Sequence, residues 1–271
     1  MATYKDIHGS SIQNVDGNPG NPKAGQFWYD STNSEFKYQD QFKGNAWSTQ
    51  NSLNTARNNI SGATAGTTSA TIAFAGFAPP HVAGTESWNG SSWTEVNDLN
   101  TARNNGGGAG TSTSALMFGG YDATGIVGIT ESWNGSSWTE VGDLNTVKRN
   151  STTTGDSTAS LNFAGYNGSS TKLGNTEEWN GSSWTEVADL NTTRYGASGN
   201  GVGSSLAHCF GGNVPGSTVN TELWDGSSWT EVANLSTARG YVSGFGSPTA
   251  GAASTGYSTA YHSNTEEFTR T

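Results

Sequence analysis

The sequence predicts an all-β chain: a five-bladed β-propeller of four-stranded blades, closed by N- and C-terminal strands and preceded by a short arm. Three observations predict it. The twelve residues TESWNGSSWTEV from Thr85 return from Thr130, as TEEWNGSSWTEV from Thr176 and as TELWDGSSWTEV from Thr221. A tryptophan recurs at Trp47, Trp93, Trp138, Trp184 and Trp229, spaced by 46, 45, 46 and 45 residues. Four of the intervals hold an apolar run ending in small residues, and a repeat of roughly 40 to 50 residues with this grammar is the length of one propeller blade.

Composition agrees. Only 32% of residues are hydrophobic and 38 are glycine, yet the chain carries ten Trp, nine Tyr and ten Phe. Disordered chains lack such an aromatic load, because each ring offers a large area to bury. The net charge of −10, with 12 Lys and Arg, supplies no basic field for phosphates, so nucleic acid is not an expected partner. The single cysteine, Cys209, forms no internal disulfide and reads as a small buried hydrophobe in the strand LAHCF. No run of 18 apolar residues marks a membrane span, and MATYKDIHGS does not read as a signal peptide.

Each blade is built in order from the same four runs. The polar, glycine-rich stretch after each basic residue, such as NNGGGAGTSTSA from Asn104, resembles a linker, but it recurs in phase and is read as the innermost strand, where glycine permits close approach. The second strand is the apolar run, TIAFAGF to Phe77, ALMFGGY to Tyr121, SLNFAGY to Tyr166 and AHCFGGN to Asn213, with a weaker ASTGY to Tyr257. The third and fourth strands are TESW and SWTEV, joined at Asn89-Gly90. That dipeptide predicts a two-residue type I′ hairpin in which Trp88 pairs with Ser91 and is a diagonal neighbour of Trp93. The same pattern gives the structural set Trp47, Trp88, Trp93, Trp133, Trp138, Trp179, Trp184, Trp224 and Trp229, expected to pack against the small residues of the next blade. The Asn-Gly-Ser triplets fit a glycosylation sequon, but the turn accounts for them, and Asp225 replaces Asn in the fourth copy.

The run ALMFGGYDATGIVGITESWNGSSWTEVGDLNTVKR resembles a kelch repeat, with departures at Ala75-Gly76, Ala164-Gly165 and Thr255-Gly256 in place of a glycine pair. The resemblance covers roughly residues 35–271, taken as the propeller, and leaves 1–34 as an arm or attachment segment. The chain ends in NTEEFTRT, where Phe268 stands for the first Trp and the partner strand is missing. Residues 35–50, with Trp47 in the role of Trp93, are expected to complete the fifth blade and remove the free edge. Together, GQFWYDSTNSEFKYQ and the repeats also resemble repetitive virion proteins of marine tailed bacteriophages. That likeness implies a virion location, with the chain made in the host cytoplasm, and other virion proteins as partners of the arm.

No catalytic constellation emerges. The four histidines share no spacing, no GxSxG, HExxH or phosphate-cradling lysine loop occurs, and the carboxylates repeat in phase where a glycosidase pair would occur once. Neither metal nor cofactor is expected. Galactose oxidase, a copper enzyme with a kelch-like propeller, needs a tyrosine, histidine and cross-linked cysteine set that cannot be traced here. The basic residues Arg57, Arg103, Lys148, Arg194 and Arg239 keep step with Glu86, Glu131, Glu177, Glu222 and Glu266, which predicts ion pairs between blades. Function is sought where the units differ. The connectors between second and third strands, at 78–84, 122–129, 167–175, 214–220 and 258–264, vary in length and sequence. They should emerge with the blade-to-blade connectors on one face, opposite the uniform Asn-Gly turns. His81, Tyr121, Asp122, Asn167, Lys172, Tyr261 and His262 are the candidate ligand contacts there. The expected function is a non-enzymatic tail-fibre or adhesion component that binds a host-surface glycan or protein. A decoration protein docked on the virion, a glycan-active enzyme on the same scaffold, and self-association all stay open.

Overall fold

The computed structural model describes residues 13–15, 27–38, 49–168 and 171–269, which fall in two compact units, Met1–Thr49 and Gln50–Thr271. In the first unit Phe27–Asp30 pairs in parallel with Gln13–Val15 and antiparallel with Glu35–Tyr38. The Asp30 carboxylate closes the turn between the latter two, accepting from the Thr32 amide at 2.9 Å and pairing with Lys37 at 2.7 Å. Glu35–Tyr38 was expected in the fifth blade. It is instead satisfied locally, because the turn places it within reach of Phe27–Asp30. The rest of that expected closing segment, Trp47 included, lies outside the described residues.

The second unit has no helix among its described residues and consists of five antiparallel sheets. The first runs Ser61–Gly62, Thr71–Phe74, Thr85–Trp88 and Trp93–Val96. The second runs Gly107–Gly110, Ala115–Phe118, Thr130–Trp133 and Trp138–Glu140. The third is Thr152–Gly155, Ser160–Phe163, Thr176–Trp179 and Trp184–Val187, and the fourth Ser198–Val202, Leu206–Phe210, Thr221–Trp224 and Trp229–Glu231. The fifth has three described strands, Ser243–Ser247, Ala250–Ser254 and Thr265–Thr269. The strand order in each sheet follows the chain, and the first strands of successive sheets touch, which makes each sheet a blade and the glycine-rich stretches its inner strand. A Cβ on Gly108 would come within 2.5 Å of the Gly62 carbonyl oxygen of the preceding inner strand, so only glycine fits that approach.

The hairpin register differs from the expected one. Trp88 lies directly opposite Trp93, with Glu86 opposite Glu95, so the loop is the four residues 89–92. Asn89 does not take the positive φ that a type I′ turn needs; only Gly90 does. The reason is that the Asn89 side chain acts as an acceptor, taking hydrogen bonds from the Ser91 amide at 3.0 Å and the Ser92 amide at 2.9 Å. The turn is thus organised by a side chain, and the two serines are part of it. Asp225 does the same work in the fourth blade, and the amides of Ser228 and Ser227 with the Ser227 hydroxyl hold its carboxyl down to about 2.

Direct pairing places both indoles of a hairpin on one face, 5.4 Å apart in the first blade. That face meets the preceding blade. Trp138 stands edge-on to Phe74 at 4.9 Å and donates its Nε1–H to Thr85 Oγ1 at 3.1 Å. Trp184 repeats this on Phe118 and Thr130, and Trp229 on Phe163 and Thr176. The indole therefore packs on a threonine, as the pattern suggested, but on that of the preceding blade where the next was expected, and also on a phenylalanine that the pattern did not assign. Burial of this kind is worth about 3–5 kcal/mol per indole when truncated to alanine. At the junction of the fourth and fifth blades the corresponding Phe210 and Thr221 line a cavity of about 90 Å³, floored by Leu235 and Phe268. The fifth sheet has no fourth strand among the described residues to place an indole there.

All five expected ion pairs form: Arg57–Glu86 at 3.2 Å, Arg103–Glu131 at 2.5 Å, Lys148–Glu177 at 3.3 Å, Arg194–Glu222 at 2.5 Å and Arg239–Glu266 at 2.8 Å. They do not run between blades as expected, because each cation lies in the connector that enters the blade holding its carboxylate. The link between blades is made by the cation's own backbone. The carbonyl oxygens of Arg103, Lys148, Arg194 and Arg239 accept from the amides of Gly76, Gly120, Gly165 and Gly212 of the preceding blade at 2.8–2.9 Å. The second glycine of each pair is needed for that bond: Gly120 holds φ +109, and its Cβ would meet the Asn104 carbonyl oxygen at 2.7 Å. Alanine is tolerated at the first position, as Ala75 and Ala164 show, which accounts for the departures from a strict glycine pair. Among the described residues no fifth bond of this kind joins Gly256 to Arg57.

Two outcomes test this core. Lys148 is wholly buried, and burial pulls its amine below the usual lysine value against the pull of Glu177. Lys148→Met strands the Glu177 carboxylate and is expected to cost about 3 kcal/mol in denaturant unfolding, whereas Lys148→Arg keeps the protein at least as stable. Cys209 is fully buried, with its thiol pushed up to about 11 by burial, so a maleimide at about pH 8 should label it only as fast as the chain unfolds, and at once in concentrated guanidinium chloride.

Candidate functional site

The two kinds of connector meet on one face in every blade. Asn58, Phe77 and His81 are bridged in the first; Asn104, Tyr121 and Ile126 in the second; Arg149, Tyr166 and Lys172 in the third; Tyr195, Asn213 and Ser217 in the fourth; and Gly240, Tyr257 and Tyr261 in the fifth. The opposite face carries the 89–92 type turns, which are nearly identical in four blades.

Aromatic groups run along the connector face from blade to blade. His81 packs on Phe77 at 5.3 Å and on Tyr121 at 5.5 Å. The Arg149 guanidinium lies over both Tyr121, at 5.0 Å, and Tyr166, at 5.5 Å. Tyr166 contacts Tyr195 at 5.8 Å, and Tyr195 contacts Tyr241 at 6.2 Å. Burial and the neighbouring Tyr195 phenol raise the Tyr241 hydroxyl above its usual value. Tyr257 and Tyr261 form a further pair at 5.2 Å. Much of this surface is open: Tyr121, Tyr241 and Tyr257 are exposed, and Tyr261 is 91% exposed. Three buried nitrogens on this face, Nδ1 of His81, Nε of Arg149 and Nδ2 of Asn213, have no hydrogen-bond partner.

Of the expected contacts, His81 and Tyr121 belong to this row and Tyr261 to the outer pair. Asp122 is buried under its own loop. Burial opposes ionisation there, but hydrogen bonds from the Thr124 hydroxyl and amide and the Gly125 amide hold its carboxyl below the ordinary value, so it shapes the loop that presents Tyr121. His262 hydrogen-bonds Ser258 within its own loop at 2.7 Å. Lys172 pairs by backbone with Tyr166, and Asn167 caps the start of the same loop through the Thr171 carbonyl oxygen. These four are not drawn together into one cluster. The residues that reading connector sequences alone missed are Arg149, Tyr166, Tyr195, Tyr241 and Tyr257. Their signal was periodic: Tyr121, Tyr166 and Tyr257 follow the small-residue pair, and Arg149 and Tyr195 follow the buried cation.

A cavity of about 530 Å³ opens around the blade axis, between inner-strand residues such as Thr154, Gly201 and Phe245. The glycine-rich inner strands leave this space where they lack side chains. Asp156 is its one carboxylate among the lining residues, and it is engaged by the Thr158 hydroxyl and amide. Among the described residues no cluster of three or more histidine, cysteine, aspartate or glutamate side chains could hold a metal ion.

One backbone feature singles out Tyr241. The connectors are laced by bonds from the Asn105 amide to the Asn59 carbonyl oxygen, Asn150 to Asn105, Gly196 to Asn150 and Tyr241 to Gly196. Each of these residues is left-handed, with φ of 49–59° for Asn59, Asn105, Asn150 and Gly196 and 52° for Tyr241. Asparagine and glycine accept that region readily; a tyrosine in it is strained by about 1–3 kcal/mol. Strain retained beneath an exposed ring fits a residue kept for contact. Tyr241→Gly should therefore raise stability by about 1 kcal/mol in chemical unfolding, and an unchanged or lower midpoint would refute the strain.

No protein-family model matches the chain, and no curated protein matches it. Among solved structures it is similar to the structure of YjhT, with a TM-score of 0.66 at 11% sequence identity, over 79% of this chain and 81% of that one. At that identity the likeness speaks for the fold alone, and with the repeated sheets it makes this chain a β-propeller.

Proposed function

We propose that the chain is a non-enzymatic recognition protein that binds a host-surface saccharide through its connector face, carried on a tailed-phage virion as a tail-fibre or adhesion component. The observation that carries the binding reading is the row of tyrosines across successive blades. Tyrosine offers a flat apolar face and a hydroxyl while losing little side-chain entropy, which suits a ligand with apolar ring faces and hydroxyl edges. The row sits on a rigid scaffold and on the face where the loops vary, the usual disposition of recognition surfaces. The virion setting rests on the resemblance of residues 25–39 and the repeats to phage structural proteins. Absence of catalysis is part of the proposal, motivated by carboxylates that repeat in phase, of which the buried set is committed to ion pairs.

A second reading has its own support. The turns at 89–92, 134–137, 180–183 and 225–228 are exposed and nearly uniform, which suits docking on a repetitive surface and a decoration role. A glycan array decides the first reading. Binding is expected, and the double change Tyr121→Ala with Tyr195→Ala should weaken it at least about tenfold, the loss of one to two kcal/mol of ring contact. Unaltered binding in that variant would place the ligand elsewhere, and turnover of a bound polysaccharide would sink the non-enzymatic reading. Particles lacking the protein that adsorb normally but fall apart more readily would favour decoration.

A further inference from the structure

Among the described residues of the propeller unit, the buried cations Arg57, Arg103, Lys148, Arg194 and Arg239 are each paired with a glutamate. Arg149 is different. It follows Lys148 directly, and because the lysine occupies the buried position, the arginine points to the connector face. No carboxylate of the described residues pairs with it. Its guanidinium lies over Tyr121 and Tyr166, at 5.0 and 5.5 Å, and its Nε is buried without a hydrogen-bond partner. Asp122, the residue after Tyr121, makes no ion pair with it; that carboxylate accepts from Thr124 and Gly125 instead. A chain of net charge −10 thus keeps, among its described residues, a cation without an ion-pair partner on its aromatic face.

We infer that Arg149 is the charge-reading element of this face and takes the carboxylate of an acidic sugar residue of the uronic-acid class. This deepens the saccharide reading above and rests on it. The chemistry follows from the geometry. A guanidinium is a planar fork that matches a carboxylate with two parallel hydrogen bonds, and stacking on two rings fixes its plane before the ligand arrives. The tyrosines on either side offer surfaces for the sugar ring that bears the carboxylate. A lysine here would supply charge without the fork.

The test is calorimetric titration of the whole protein with oligogalacturonate, a sulfated galactan and neutral dextran oligosaccharides at low salt, repeated with R149Q and R149K. Arg149 makes no ion pair, so R149Q should stay folded and melt at most slightly lower for the lost ring contact, and melting each variant beside the titration separates binding from folding. Oligogalacturonate is expected to bind in preference to dextran, R149Q to lose at least about tenfold in affinity for it with a clearly smaller loss toward dextran, and R149K to recover only part. Equal binding of neutral and acidic chains, or acidic binding untouched by R149Q, overturns the inference and leaves the saccharide reading standing. Preference for the sulfated galactan overturns the carboxylate assignment. No binding of any of the three chains overturns both readings.

Discussion

The propeller depends on a cation that belongs to two blades at once. Arg103 gives its backbone carbonyl oxygen to Gly76 of one blade and its guanidinium to Glu131, Gly119 and Met117 of the next. Burying both charges costs several kcal/mol per ion, and their attraction offsets that only if the remaining valences are filled. Around Arg103 they are filled: Glu131 also accepts from the Asn100 and Thr101 amides at 2.7 and 3.3 Å, and the same carboxylate set recurs on Glu177 and Glu222, whereas Nε of Arg57, Arg194 and Arg239 is left without a hydrogen-bond partner. The Leu-Asn-Thr segment is thus the hydrogen-bonding half of the ion pair. Such a pair contributes orientation more than net stability, since every bond must be made in one geometry.

That orientation reaches the connector face directly. The residue after each buried cation begins the surface connector, and the next one takes the left-handed conformation that laces it to its neighbour. Once the cation is pinned, the position of Arg149 or Tyr195 relative to Tyr166 is set by backbone, with no freedom left for the loop to choose. The exposed rings are therefore held by a frame ordered by its own backbone bonds, which under the saccharide-binding proposal lowers the entropic cost of binding. The axial cavity and the uniform turn face lack this combination of fixed frame and varied side chains. The fold alone names no activity, since one scaffold hosts many functions.

Much of this was legible from residue spacing, because repetition converts one local pattern into a global constraint. The strand order, the inner glycine strand, the Arg–Glu partnership and the common face of the two connector types all follow from a unit that cannot bury its indoles alone. The hairpin register was not legible. Asn89-Gly90 is a strong two-residue turn signal, yet the asparagine oxygen found better partners in the Ser91 and Ser92 amides, and one extra pair of loop residues put Trp88 opposite Trp93. Nor was the placement of Arg149 over Tyr121 and Tyr166, since a lysine in the repeat position beside it hides which of two adjacent cations is buried.

By itself, the sequence determined the number of units, their all-β character and the pairing of each basic residue with its glutamate, because these are enforced identically at every repeat and need only periodicity to be seen. Tertiary structure decided what no repeat carries. It fixed which blade each bond joins, that an indole rests on Phe118 as well as Thr130, that Glu35–Tyr38 pairs with Phe27–Asp30, and that side chains far apart in the chain form one aromatic row. The physical reason is that spacing encodes what a residue must satisfy, whereas the partner that satisfies it is chosen by distance in three dimensions.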